Sequence, residues 1–325
     1  MLTSRVAAAR AGPLLRLLCS VLPPFVLPSS CTTLGAALAH ASAAFADFAV
    51  PEPQLSAEHL LLRAAGLGGS RAALVARHGA ALEPAAAQTF EAMCQRRLER
   101  TPVQYILGDW DFHDLTLEVR PPVLIPRPET EELVELVLCA HSGAEAILDV
   151  GCGSGAIGLA LLHALPRARC VGLDVSEAAA ALSLDNAARC GLAARYDALR
   201  LPGGVKAYTE LVPPPQFDLI VSNPPYIPAA HMAGLAPEVV DHEDERALCG
   251  GDDGLDVVRE LLRAAPRLLC PEGPRAIWLE VDESHPPLLE RWLAEPEQTA
   301  LRLRLRRTHH DLAGRPRFCE LRWGG

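Results

Sequence analysis

From Ala146 onward, short apolar runs alternate with stretches of helical period. Ala146–Val150, Cys170–Asp174, Phe217–Ser222 and Ala276–Val281 are compact apolar runs that predict strands, and Gly158–Ala164 and Ala178–Cys190 predict helices between them. Strands alternating with helices build a mostly parallel sheet covered by helices, an α/β fold. The C-terminal end breaks this rhythm. Leu301-Arg-Leu-Arg-Leu-Arg306 alternates at period two and is joined through the turn-prone His309–Pro316 to Arg317–Trp323. That pattern predicts an antiparallel pair at the sheet edge, with one face wet.

Upstream the pattern is helical. Ser56 and Glu58 before Leu60-Leu-Leu62 suggest a capped helix start, and Gly66-Leu-Gly-Gly69 breaks that helix. Ser70 is placed to cap a second helix stopping near Gly79, and Pro84 opens a third that ends in Gln95–Arg100. Three short helices over residues 47–104 predict a small bundle, and periodicity alone leaves open whether it is a packing appendage or recognises a partner. Tyr105–Leu107 and Leu115–Val119, with Gly108 and Asp109 as turn residues, predict a β-hairpin linker over 105–122. Pro121, Pro122, Pro126 and Pro128 impose an extended path before a helix over Glu129–Leu138, at the start of an α/β domain over 123–325.

Composition narrows the possibilities. A length of 325 residues fits two domains, and 50% hydrophobic residues support a sizeable core. The net charge of −10 and the 5% aromatic content argue against long nucleic-acid contacts, which need a basic face or stacking platforms. Of the basic residues only Lys206 is a lysine, a bias that reads as codon composition. Ten scattered cysteines contain no Cys-x-x-Cys pair, which argues against a metal site or a disulfide scaffold. Residues 1–46 hold no Asp or Glu, while Arg5, Arg10 and Arg16 punctuate an Ala/Leu/Ser-rich stretch. This is the composition of a mitochondrial transit peptide. A secretory signal, built on the apolar run Leu14–Leu27, is interrupted by Arg16, Pro23 and Pro24; an unstructured tail is the third reading. Without those three arginines the rest of the chain is more acidic than the whole.

Two constellations carry chemistry. Asp149-Val-Gly-Cys-Gly-Ser-Gly155 lies between the first strand and its helix, where glycines let backbone N–H groups approach a ligand. Asp174 closes the second strand, where a carboxylate can take two ribose hydroxyls. An acidic residue ahead of the loop suits an amine-bearing ligand, so S-adenosylmethionine is favoured over NAD, with a purely structural turn as the bland alternative. Asn223-Pro-Pro-Tyr226 follows the third strand, on the same side of the sheet. Its prolines remove N–H donors and leave carbonyl acceptors, while Asn223 adds an amide oxygen and Tyr226 a flat face. Such a loop suits a planar NH2 group; otherwise it is only a stiff turn.

Together these loops resemble the class I S-adenosylmethionine-dependent methyltransferases that modify planar nitrogens. Thr101-Pro-Val-Gln-Tyr-Ile-Leu-Gly108, Val123-Leu-Ile-Pro-Arg-Pro-Glu-Thr-Glu131 and Ala247-Leu-Cys-Gly-Gly-Asp-Asp-Gly-Leu255 narrow the resemblance to the HemK-like, PrmC-type release factor glutamine N5-methyltransferases. The Arg-rich leader points to the mitochondrial matrix branch of that family. The resemblance runs from about residue 55 to the C-terminus. It implies a Rossmann-like methyltransferase domain and an N-terminal bundle that helps hold a mitochondrial release factor, whose Gly-Gly-Gln loop carries the methylated glutamine. It implies a cofactor site from Asp149, Gly151, Cys152, Gly153, Ser154, Gly155, Asp174 and Asn223. Asn223, Pro224 and Tyr226 are the expected catalytic residues, and with Pro225 they form the expected substrate site. A monomer with no metal, no membrane and no direct nucleic-acid contact completes the expectation. Residues Arg195–Tyr208 depart from the family pattern, so no adenine contact is assigned there, and His242–Arg246 stands where the family often has a Glu-Pro pair. The competing functions are a methyltransferase for adenine N6 or guanine N2 of DNA or RNA, and a non-catalytic release-factor binding module.

Overall fold

The computed structural model describes residues 24–68, 70–210 and 216–324. The chain forms two compact units, one up to Thr101 and one from Pro102. Among the described residues the first holds four helices: α1 (Leu34–Asp47), α2 (Pro53–Ala64), α3 (Arg71–Ala76) and α4 (Pro84–Leu98). Thr33 caps α1 by accepting from Ala36 N, and α1 buries Leu34, Ala37, Ala41 and Phe45. Its composition is that of a leader because its buried face is told from its outer face by residue size, not charge. Folding therefore starts well before Asp47. Phe25 N donates to Gln95 Oε1 and Leu27 N to Glu91 Oε1, each at 2.7 Å. Of the expected leader, residues 1–23 lie outside the described residues. Ser70 caps α3 as expected, whereas Ser56 does not cap α2. Glu52 holds that position ahead of Pro53, and Ser56 is buried inside the helix, where its hydroxyl donates to Pro51 O and accepts from Arg97 Nε.

The second unit opens with α5 (Val103–Leu107), then β1 (Asp109–Phe112) and β2 (Leu115–Glu118). The hairpin exists, but Tyr105–Leu107 is helical and the turn is His113–Asp114. Nor is it a linker, because Phe112, Leu115 and Leu117 are buried in the core of this unit. The alternating elements follow: α6 (Pro128–Ala140), β3 (Ala146–Val150), α7 (Ala156–Ala164), β4 (Arg169–Asp174), α8 (Glu177–Arg189), β5 (Tyr196–Arg200), α9 (Gly204–Thr209), β6 (Leu219–Ser222), α10 (Pro237–Val240), α11 (Asp256–Leu268), β7 (Ala276–Glu280), α12 (His285–Leu293), β8 (Leu303–His310) and β9 (Pro316–Trp323).

The seven-stranded sheet has the order β5-β4-β3-β6-β7-β9-β8. Five strands are parallel, β9 runs antiparallel to β7, and β8 pairs antiparallel with β9 at the edge. The expected α/β methyltransferase fold with its antiparallel C-terminal pair is the one observed. Successive residues of β3 serve opposite faces. Ile147 packs into the core built with α6, α7 and the hairpin, and Leu148 into the core built with α9, α11 and α12. Chain order reverses between β3 and β6, so the loops at their carboxyl ends splay apart and open a crevice. The glycine loop and Asn223–Tyr226 are those two loops.

Candidate active site

The glycine loop is tied to the end of β4. Gly151 N donates to Leu173 O at 2.7 Å, Gly153 N to Asp174 Oδ2 at 3.0 Å, and Ser176 N to Asp174 Oδ1 at 2.8 Å. Gly153 adopts a φ of +55°, and a Cβ there would meet no protein atom within 4 Å, so the loop presents bare backbone to the crevice. Asp149 lies behind it. Its carboxylate is wholly buried, accepts from Gly158 N at 3.0 Å and is pushed up to about 7 by burial. Cys152 and Ser154 are buried too; burial raises the Cys152 thiol well above its ordinary value, and the Ser154 carbonyl accepts from Asn186 Nδ2. The motif thus divides. Gly151 and Gly153 face the crevice, while Asp149, Cys152, Ser154 and Gly155 support the loop from behind and do not border the cavity.

That cavity measures about 400 Å³, within the roughly 300–1,000 Å³ of small-molecule sites. Gly151, Gly153 and Asp174 form one wall, Leu201–Val205 after β5 a second, and Asn223 and Pro225 after β6 a third. Val123, Leu124, Asp244 and Arg246 also border it. Desolvation raises the Asp174 carboxyl above its ordinary range. Each of its oxygens accepts one backbone N–H and keeps a further lone pair for a ligand hydroxyl. A glycine loop without side chains, a carboxylate and flanking apolar walls fit an adenosyl sulfonium cofactor with an amino-acid tail.

Beside the cavity, Asn223 Nδ2 donates to Thr130 Oγ1 at 3.1 Å, and the Thr130 hydroxyl donates to Glu280 Oε2 at 2.7 Å. The Tyr226 hydroxyl reaches Glu280 Oε1 at 3.4 Å. Pro224 is buried, and neither it nor Tyr226 borders the cavity itself. The loop beyond Tyr226 is zipped to residues 248–251 through Ile227 N to Leu248 O, Gly250 N to Ile227 O and Ala229 N to Gly251 O. A Cβ on Gly250 would collide with the Pro225 carbonyl, and one on Gly254 with the Tyr226 carbonyl. The glycines of Ala247–Leu255 thereby let the backbone approach that sets the Asn223 loop.

The Ile-Pro-Arg-Pro segment is anchored in the same way. Arg127 Nη2 pairs with buried Glu243 Oε2 at 2.6 Å, Ile125 N donates weakly to the other oxygen at 3.4 Å, and Tyr105 OH donates to Val123 O at 2.6 Å. His242–Arg246, where the sequence departs from the expected pattern, therefore supplies both a tether, Glu243, and cavity-lining residues, Asp244 and Arg246. Sequence reasoning does not single out Thr130, Glu280 or Leu201–Val205. One signal is available: Glu280 is an acid closing an otherwise apolar strand.

Residues 36–108 match the family described as the PrmC N-terminal domain, and residues 130–246 match the methyltransferase small domain. The human MTRF1L release factor glutamine methyltransferase is 41% identical over 314 residues, covering 93% of this chain and 90% of its own. The release factor glutamine methyltransferase of Geobacter sulfurreducens is 41% identical over 237 residues, 73% of this chain and 79% of its own. That of Deinococcus radiodurans is 36% identical over 290 residues, 89% of this chain and 98% of its own.

Proposed function

This chain belongs to the release factor glutamine methyltransferase family, and from that premise we propose that it methylates the glutamine N5 nitrogen in the Gly-Gly-Gln loop of a mitochondrial release factor. S-adenosylmethionine, when bound, supplies a methyl group activated by its sulfonium charge. Gly151, Gly153 and Asp174 would hold it, with Leu201–Val205 as the apolar wall for its adenine. Asp149, Cys152, Ser154 and Gly155 are assigned to shaping the loop. The first unit, residues up to Thr101, is assigned to holding the release factor, and the protein acts as a monomer without direct nucleic-acid contact.

An amide nitrogen is a poor nucleophile because its lone pair is delocalised into the carbonyl. Asn223 Oδ1 and the Pro224 carbonyl can each accept one of its two hydrogens, which turns the nitrogen toward the methyl and raises its electron density. Tyr226 would flank the amide plane. Once methylated, the nitrogen would be far more acidic, and its surplus proton would pass to water. Alignment carries most of the catalysis; positioning of this kind is worth about 7–11 kcal/mol in the best cases.

The observation that best supports this reading is the Asn223 carboxamide, bordering the cavity with its NH2 donating to Thr130 and its oxygen without a partner among the described residues. Asn223→Ala should abolish methyl transfer to a release factor while leaving the calorimetric Kd for S-adenosylmethionine nearly unchanged. Near-full turnover in that variant would defeat the amide-clamp mechanism.

Mitochondrial import is assigned to the Arg-punctuated residues 1–23, because the chain from Phe25 onward is engaged with α4. Fused to a reporter, that segment should carry it into mitochondria; a reporter left in the cytosol would contradict the assignment.

A further inference from the structure

The Asn223 carboxamide is held from behind by a chain of groups whose direction is chemically fixed. Thr130 comes from the first turn of α6, Asn223 and Tyr226 from the loop after β6, and Glu280 from the end of β7. Thr130 and Glu280 are 4% and 1% exposed, so water has little access to either. An ionised carboxylate only accepts hydrogen bonds, and a hydroxyl has one hydrogen to give. Thr130 gives its hydrogen to Glu280 Oε2, which leaves it only lone pairs for Asn223. The carboxamide must then turn its NH2 toward Thr130, as it does at 3.1 Å, and its oxygen away. The second oxygen of Glu280 receives the Tyr226 hydroxyl at 3.4 Å, so one carboxylate orients both residues that flank the substrate amide.

A buried charge is costly to keep. Burial pushes the Glu280 carboxyl up to about 7, so the direction is fixed in the ionised form that prevails above that pH, whereas a glutamine of the same shape would avoid the cost of the charge. Glutamine, however, could donate to Thr130 as readily as accept from it. The Thr130 hydrogen would then be free for Asn223, and the carboxamide could present either end to the substrate. The choice of acid at this position therefore matters for direction rather than for packing.

We propose that Glu280, acting through Thr130, is a positioning residue that locks the Asn223 carboxamide oxygen outward and so selects a carboxamide substrate over a carboxylate. An outward oxygen accepts from an NH2 group; it repels a glutamate side chain, which brings no hydrogen. The proposal rests on the glutamine-methyltransferase reading above and names the residues that set its selectivity.

The test, run near pH 8.5 where Glu280 is ionised, uses the full-length protein, a release factor with its native glutamine, and the same factor with that glutamine replaced by glutamate as an inhibitor. Glu280→Gln should lower kcat by about ten- to a hundredfold, the scale of a small misplacement at a reacting centre. Its Kd for S-adenosylmethionine should not rise and its unfolding midpoint should not fall. The glutamate-bearing factor should inhibit this variant about tenfold more strongly than it inhibits the wild type, since an inward-turned oxygen exposes the NH2. Thr130→Val should reproduce the loss of turnover, and Thr130→Ser, which keeps the hydroxyl, should restore it. Unchanged turnover in Glu280→Gln, or lost turnover with unchanged discrimination against glutamate, would overturn the proposal. If the wild type methylates no release-factor glutamine, the broader functional reading fails instead, and the two failures are distinguishable.

Discussion

Asp149 shows how far a single residue can be read in advance. Its place ahead of a glycine loop suggests a ligand contact, but the side chain is enclosed behind the loop and accepts from Gly158 N. Nothing in the local spacing distinguishes these roles, because both put an acid at the end of β3; only the side-chain direction separates them. Burial raises its carboxyl from 3.8 to about 7. Between those values the folded protein binds a proton that the unfolded chain releases, so this group's effect on stability becomes less favourable as pH rises through that window. Asp149→Asn is neutral throughout and can still accept from Gly158 N. Its stability relative to the wild type should therefore improve by more than about 1 kcal/mol between pH 5 and pH 8, since each pH unit crossed inside the window is worth about 1.4 kcal/mol. Urea unfolding at the two pH values measures this, and a constant difference would show that no raised carboxyl is present. Asn223 is legible for the opposite reason: followed by two prolines at a strand end, it has few structural uses.

At the level of elements, strong patterns read well and weak ones do not. β3, β4 and β7 are apolar runs bounded by turn residues, and their limits follow from sequence within a residue or so. β5 escapes notice because Tyr196–Arg200 is mostly exposed at the sheet edge and has no apolar run. α1 resembles a leader because it carries no charge before Asp47. The hairpin turn is expected one element early because Gly108 looks like a turn residue, whereas it ends α5 and His113–Asp114 turns the chain. Thr130 and Glu280 are 150 residues apart in sequence, and no local pattern brings them together. Their meeting follows from α6 starting beside the end of β7, a fact of topology.

For the molecule as a whole, the sheet's reversal between β3 and β6 makes the two recognisable loops into one site. The fold is legible because each loop follows a clear strand. The selective layer behind Asn223 is not, since it depends on which side chains the core brings within reach.

The most direct measurement offers the purified protein labelled S-adenosylmethionine together with equimolar release factor and RNA, then locates the methyl by tandem mass spectrometry. The expected result is one methyl on the side-chain nitrogen of the Gly-Gly-Gln glutamine and none on RNA. A methyl on a nucleobase, or on any other release-factor residue with that glutamine unmodified, would contradict it.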